Sequence, residues 1–273
     1  MNIILFDGIP QFISFTDPVG RHIKKVLKAQ AGDCLKAGLL NGPRGSLCIT
    51  AVEAEGYRVE WSESGPPVGL YPLTLLVGFV RPISVKRILR EAASLGVERL
   101  VFAVTDSGER SYREANLWKT GEYRQYLING LQTAGATVLP EVVLAGGVGE
   151  ALAALEPDGV VTERPVAEAA KLETAGALNR PQGDPTRLVL DNVSEGRPLS
   201  NVDLGGREAA VADGPGGRRV VLAVGSERGW SDRERGLFKA AGFSSVTLGS
   251  RILRTETACS VGAALVLARM GFV

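Results

Sequence analysis

Near its C-terminus the chain reads SVTLGSRILRTETACSVGAALVLARM (residues 245–270). A short apolar strand, Ser245 to Leu248, turns at Gly249. From Thr255 or Glu256 onward the chain enters a helix rich in Ala, Leu and Val. Upstream, RRVVLAVGSERGWSDRE (residues 218–234) shows the same order of strand, glycine loop and helix. Arg218 to Gly225 is a nearly continuous apolar run, as expected of a parallel strand buried on both faces. Ser231 and Glu234 have the S-x-x-E spacing of a capping box, and the helix they open is ended by Gly242. Glycines at the carboxyl ends of parallel strands let a ligand approach the backbone closely, and open α/β sheets bind ligands at that edge. The same glycines also serve tight turns with no ligand.

The alternation continues toward the N-terminus. Leu73 to Val80 reads as a strand, Ile83 to Leu95 as a helix with Ile83, Ile88, Leu89, Ala92 and Leu95 on one side, and Leu100 to Val104 as the next strand. A helix is expected from about Leu117 to Ala134 and a short strand around Val138. Residues 146–217 are rich in Gly, Pro and Asp, with a helix around Glu150 to Leu155 and apolar runs at Val160 and Val161 and at Leu188 to Leu190. This order predicts an α/β fold with a largely parallel sheet covered by helices. The first part differs. Asn2 to Phe6, Cys34 to Leu40, Ser46 to Ala54 and Tyr57 to Trp61, punctuated by Gly32-Asp33, Asn41-Gly42 and Glu55-Gly56, predict a small β-barrel. Gly65-Pro66-Pro67 and Pro72 then break the chain, dividing a domain of residues 1–68 from one of residues 69–273.

Composition narrows the chemistry. Hydrophobic residues make up 45% and charged residues 22% of the 273, as in folded globular chains. MNIILFDGIP lacks the basic start and cleavage site of a secretory signal, and no apolar stretch reaches bilayer-spanning length, so a cytoplasmic location without a membrane partner is expected. Cys34, Cys48 and Cys259 are odd in number and lack C-x-x-C spacing. They suggest neither a disulfide framework nor a zinc site and read as buried small hydrophobes. With His22 the one histidine, H-E-x-x-H zinc sites and other cages that need two or more imidazoles are excluded and no metal is expected. The net charge of +1 requires any RNA affinity to come from local patches.

LGSRILRTETA (residues 248–258) and the Ala-rich helix after it resemble the C-terminal signature of the RsmE family of SPOUT RNA methyltransferases essentially residue for residue. In that family a strand ending in Gly-Pro-Glu-Gly-Gly-Phe precedes the signature, and at this spacing the chain has Gly225-Ser226-Glu227-Arg228-Gly229-Trp230. Weaker matches extend further. His22, Val26-Leu27-Lys28 and Gly32-Asp33 look like the family's H-x-x-x-V-L-R and Gly-Asp. Leu95-Gly96-Val97 resembles its E-L-G-V, and Gly135 with Leu139-Pro140-Glu141 the end of its Q-S-G-R-x-x-x-P-E.

The resemblance implies a PUA-like β-barrel that binds RNA, followed by a SPOUT domain: a parallel sheet with helices on both faces whose C-terminal segment threads a trefoil knot. Periodicity cannot reveal a knot. It further implies S-adenosyl-L-methionine bound in the knot loops, a homodimer, and methyl transfer to N3 of a uridine in small-subunit (16S) ribosomal RNA, free or in the assembled subunit. The chain also departs from the pattern. Ser226 and Arg228 replace the proline and one glycine of GPEGG, Ser94 replaces the glutamate of E-L-G-V, and Thr133 and Ala136 stand where the family has glutamine and arginine. Residues 164–217 are longer than the usual connection.

On this resemblance the cofactor site comprises Val224, Gly225, Glu227, Gly229, Leu248, Gly249, Ile252, Leu253, Thr255 and Thr257. Arg254 is the first catalytic candidate. N3 of uracil must lose a proton, and a guanidinium beside helix N-terminal amides would stabilise the charge that builds on the flanking carbonyl oxygens. A structural Arg254 paired to Glu256 or Glu227 is the alternative. Glu227 could accept a proton or order its loop. Trp230 reads as a buried ring more than a stacking platform. RNA phosphates could be met by His22 and Lys28 in the barrel and by Arg81, Lys86, Arg87 and Arg251, with Arg90, Arg110, Arg113, Lys119 and Arg124 more distant candidates. Solvated helix faces would account for many of these charges, and a packing role is the alternative for His22. Two rivals remain: a knotted RNA-binding protein without catalysis, and a SPOUT methyltransferase for a different RNA.

Overall fold

The computed structural model describes residues 2–156, 184–193, 195–205 and 218–273. The apolar run expected at Val160 and Val161, and much of the 164–217 segment, lie outside the described residues. The chain divides into two compact units, one of Met1–Gly69 with Ile128–Leu139 and one of Leu70–Leu127 with Pro140–Val273.

In the first unit, β1 (Ile4–Phe6), β2 (Phe12–Ser14), β3 (Cys34–Leu39), β4 (Arg44–Val52) and β5 (Gly56–Gly65) form a five-stranded sheet in the order β1-β3-β4-β5-β2, curled into a half-barrel. Residues of β4 alternate between buried and partly exposed, so Leu47 and Ile49 join Ile4, Ile13, Ile23 and Tyr57 in one core. Helix α1 (Pro18–His22) and a π-helical turn, Ile23–Leu27, sit between β2 and β3, and Lys28 ends the turn at φ 52°. Strand β2 has three residues and α1 five, too few for a period to be read from sequence.

Two of the three cysteines correct the sequence reading. Cys34 and Cys48 face each other across β3 and β4 and form a disulfide, with Cα atoms 4.0 Å apart. Fourteen residues separate them in sequence, but antiparallel pairing makes them direct neighbours. Cys34 is exposed, and only Cys259 is a buried small side chain. Burial pushes the Cys259 thiol far above its ordinary range.

The second unit is a seven-stranded sheet in the order β10-β12-β9-β11-β6-β7-β8, parallel at every pairing. Its strands are β6 (Tyr71–Gly78), β7 (Val97–Ala103), β8 (Glu141–Ala145), β9 (Thr186–Leu190), β10 (Arg197–Pro198), β11 (Val220–Val224) and β12 (Ser244–Thr247). The main described helices are α2 (Pro82–Leu95), α3 (Asn116–Lys119), α4 (Tyr123–Ala134), α5 (Val148–Ala154), α6 (Asp232–Ala240) and α7 (Thr255–Met270). Leu76, Val101, Val143, Val189 and Val221 pack with Ala151 of α5 and Phe238 of α6. The opposite face of the sheet meets α7. There Gly262 lies so close to Leu222 that a Cβ would come within 2.8 Å of its Cδ2. The expected helix from Leu117 to Ala134 is two helices, broken where Gly121 takes φ 75°. The strand expected around Val138 begins instead at Glu141. The Thr137 carbonyl accepts from the Asn41 amide at 2.8 Å and the Leu139 amide donates to Asn41 Oδ1 at 2.9 Å, which commits that stretch to the first unit.

The disulfide yields a stability prediction. For a closed loop of this size the oxidised protein should exceed the reduced protein by about 3 kcal/mol in denaturant unfolding. Equal midpoints in the two states would contradict it.

Candidate cofactor and RNA site

Three loops leave the carboxyl edge of adjacent strands, after β9, β11 and β12, and with the N-terminal turn of α2 they line a cavity of about 700 Å³. The β11 loop makes a tight turn in which the Gly229 amide donates to the Ser226 carbonyl at 2.9 Å, putting Glu227 and Arg228 at the apex. A Cβ on Gly225 would meet the Gly229 Cα at 2.9 Å, so this turn needs glycine. Ser226 is buried, and its Oγ accepts from Thr105 Oγ1 at 3.1 Å. Thr255 Oγ1 donates to the Gly225 carbonyl at 3.1 Å, tying the β11 loop to the start of α7. Gly249 holds φ 107°, a conformation that side-chain-bearing residues rarely adopt.

Charges around the cavity are mostly matched. Glu227 Oε1 accepts from the Arg81 backbone amide at 3.2 Å and lies 3.5 Å from Arg81 Nε, which places a carboxylate at the N-terminus of α2. Arg87 pairs with Glu256 at 3.6 Å. Arg235 Nε donates to the buried Asp191 at 2.8 Å, and Nη2 donates to its other oxygen at 3.2 Å. That carboxylate and the second partner, Asp232, hold the Arg235 guanidinium charged, above its ordinary pKa. Arg254 is exposed at the N-cap of α7 and forms neither of the ion pairs considered for it, since Glu227 and Glu256 are engaged by Arg81 and Arg87. Among the described residues, Arg251 and Arg254 have no side-chain hydrogen bond or ion pair.

Beneath the cavity, Glu234 is fully buried. Its Oε2 accepts from the Ser231 amide at 2.8 Å, completing the capping box, and its Oε1 accepts from the Asp106 amide at 2.9 Å. Asp106 in turn accepts from Arg233 and Ser231, which hold its carboxyl below the usual range. Trp230 is buried; its Nε1 donates to the Leu190 carbonyl at 3.2 Å, and its ring packs edge-on against Phe238.

The cavity brings together Val224, Gly225, Glu227, Gly229, Leu248, Ile252, Leu253, Thr255, Arg81, Arg87, Arg251 and Arg254. Gly249 and Thr257 are not on its wall, although both flank residues that are. Lys86 lies elsewhere and is bound to Glu122 at 2.8 Å, which with Tyr126 raises its pKa. His22 and Lys28 belong to the first unit. Sequence reasoning missed Leu190 to Val193, Arg235 and the lining role of Arg228. The loop after β9 carries no glycine motif, and its place beside the other two follows only from strand order.

The RNA methyltransferase domain family model matches residues 68–267. A ribosomal RNA small subunit methyltransferase E from Treponema pallidum (strain Nichols) is 37% identical over 277 residues, covering 98% of this chain and 91% of the relative. The chain belongs to this RNA methyltransferase family. A second relative, ribosomal RNA small subunit methyltransferase E 1 of Borreliella burgdorferi, is 25% identical and covers 98% of both chains. The fold is shared with a methyltransferase E structure from Neisseria gonorrhoeae bound to S-adenosyl methionine, with TM-score 0.68, 20% identity, and coverage of 98% of this chain and 97% of the other. A putative methyltransferase of Legionella pneumophila in complex with the same cofactor superposes with TM-score 0.69 at 18% identity, with the same coverages. The likeness to both solved structures runs over nearly the whole of each chain and shows a shared fold, in keeping with the parallel sheet expected from the resemblance.

The Asp191 and Arg235 pair joins two elements of the family fold across the cavity floor. Asp191→Asn would leave the guanidinium with only the solvent-exposed Asp232 as its carboxylate, and chemical denaturation should show a loss of about 2 kcal/mol. A change within experimental error would mean that solvent already screens this pair.

Proposed function

We propose that the chain transfers the methyl group of S-adenosyl-L-methionine to N3 of a uridine in small-subunit ribosomal RNA. The observation that carries this reading is Arg254: an exposed guanidinium without a counter-ion among the described residues, at the N-terminus of a long helix, on the wall of a cavity that includes the family's two signature loops. The cavity suits the methyl donor. Its size is that of small-molecule sites and its glycine turns expose main-chain polar groups, while Glu227, Glu256 and Asp191 are each already paired with an arginine. Val224, Gly225, Gly229, Leu248, Ile252, Leu253 and Thr255 would hold it, with Gly249 and Thr257 shaping the loops behind. When bound, S-adenosyl-L-methionine supplies an electrophilic methyl group, so no metal is required.

Arg254 acts on the acceptor. As the uracil N3 proton leaves to solvent water, charge gathers on the two flanking oxygens, and a guanidinium together with the first amides of α7 stabilises it. Glu227 is read as a loop anchor and not as the base, because its carboxylate already accepts the Arg81 amide. Ser226 keeps the turn through hydrogen bonds where the family has proline, which favours a working cofactor loop over a protein without catalysis.

Arg251 is assigned to an RNA phosphate. Arg81, Arg87 and Lys86 serve mainly as structural partners of Glu227, Glu256 and Glu122. Residues 1–68 are proposed as a PUA-like RNA-binding domain, in which exposed Lys28 follows exposed Lys24 and Lys25 while His22 is half-buried. A cytoplasmic location is proposed with this substrate. Among the described residues no helix is long and apolar enough to cross a membrane, and no cluster could hold a metal.

A homodimer is also proposed. Thr257, Val261, Ala264, Leu265 and Ala268 lie on the side of α7 turned away from the sheet, and Val261 is 39% exposed. An apolar strip of this kind fits a second copy. Light scattering should give twice the chain mass, and a concentration-independent monomer would refute the proposal.

The decisive experiment is methylation of small ribosomal subunits lacking the modification, with mass-spectrometric mapping of the product. Arg254→Ala should keep the fold and cofactor binding while lowering turnover on the order of a hundredfold. Arg254→Lys should rescue poorly, because an ammonium lacks the planar fork. Full turnover in the alanine variant would remove Arg254 from the chemistry.

A further inference from the structure

We propose that Arg228 binds a backbone phosphate of the RNA strand carrying the target base; the inference rests on the RNA methyltransferase reading above. Arg228 occupies the place of a glycine in the family pattern, at the apex of the Ser226 to Gly229 turn beside Glu227. The two apex side chains have different fates. Glu227 is engaged by Arg81, whereas exposed Arg228 makes one hydrogen bond among the described residues, from Nη1 to the Ser107 carbonyl at 3.2 Å. That bond fixes the guanidinium at the cavity rim and leaves four of its five N–H donors unused.

The charge pattern of the rim identifies the ligand. Arg81, Arg87 and Arg235 each have a carboxylate, but Arg228, Arg251 and Arg254 have none among the described residues. The methyl donor is itself a net cation and uracil is neutral, so neither compensates three unmatched guanidinium groups on one cavity wall. An RNA phosphate does, and a guanidinium can meet its oxygens through two parallel hydrogen bonds. Arg254 stands at the helix start, where a base would be polarised. Arg228 stands on a different loop, held toward the segment after β7 that also carries exposed Arg110. A strand reaching the cavity would therefore meet a cation before its base enters.

The test compares wild type with Arg228→Ala, Arg228→Gly and Arg228→Lys. Affinity for a uridine-rich RNA oligonucleotide is measured against salt, cofactor affinity by calorimetry, and methylation kinetics on unmodified small subunits. The alanine and glycine variants should flatten the slope of log affinity against log salt by about 0.7 to 1, the loss of one phosphate contact. Their KM should rise on the order of tenfold while kcat and cofactor affinity stay near wild type. The lysine variant should keep the salt slope. An unchanged slope in the alanine variant would overturn the proposal, and so would a parallel loss of cofactor affinity, which would assign Arg228 to the methionine carboxylate. If wild type methylates no small subunit, the function above fails, while the salt slope still decides whether Arg228 meets phosphate.

Discussion

Strand β11 pairs in parallel with β6 on one side and β9 on the other, and all five of its residues are buried. Both hydrogen-bonding edges and both faces are thereby consumed, so only uncharged, compact side chains can occupy the position. Each large apolar side chain buried there contributes about 1.5–3 kcal/mol. Gly262 of α7 lets that helix settle directly on Leu222. Because β9, β11 and β12 run in the same direction, their three loops emerge together at one edge. The cavity is a consequence of that parallel register.

The loops are held by polar groups that water cannot readily replace. Buried Glu234 receives two backbone amides, one from its own capping box and one from Asp106. Thr105 reaches Ser226, and Thr255 reaches Gly225. A buried carboxylate with its acceptor capacity used by amides is far less costly than an unpaired one, and removing it would strand those amides. Around this scaffold the charges of the cavity wall are unevenly matched: among the described residues three arginines have carboxylates and three do not.

The first unit follows a different logic. Its sheet is small, its strands β1 and β2 have three residues each, and the Cys34–Cys48 disulfide joins neighbouring strands next to the exposed lysine turn. A small core gains from such a cross-link more than a large one does. Within the same unit, Thr137 and Leu139 hydrogen-bond to Asn41 and Gly42, so that residues far along the chain complete it.

Strong local patterns were legible in the sequence. The apolar run of β11, the Ser231 and Glu234 capping box, the α2 periodicity and the LGSRILRTETA loop each encode their conformation within a few residues, and the family resemblance rests on two of them. Strand β2 and helix α1 were not legible, because no period fits inside three or five residues without an apolar run to mark them. The disulfide was hidden because pairing of antiparallel strands, not sequence spacing, brings Cys34 to Cys48. Leu190 to Val193 joined the site only through the order β12-β9-β11, and the pairing of Arg81, Arg87 and Arg235 became visible only when strands and helices had been placed side by side. Sequence determined what depends on neighbours along the chain: strand, cap, glycine turn and signature loop. Tertiary structure decided which charges are neutralised and which remain available to a ligand, because Coulomb interaction falls with distance in space and is indifferent to distance in sequence.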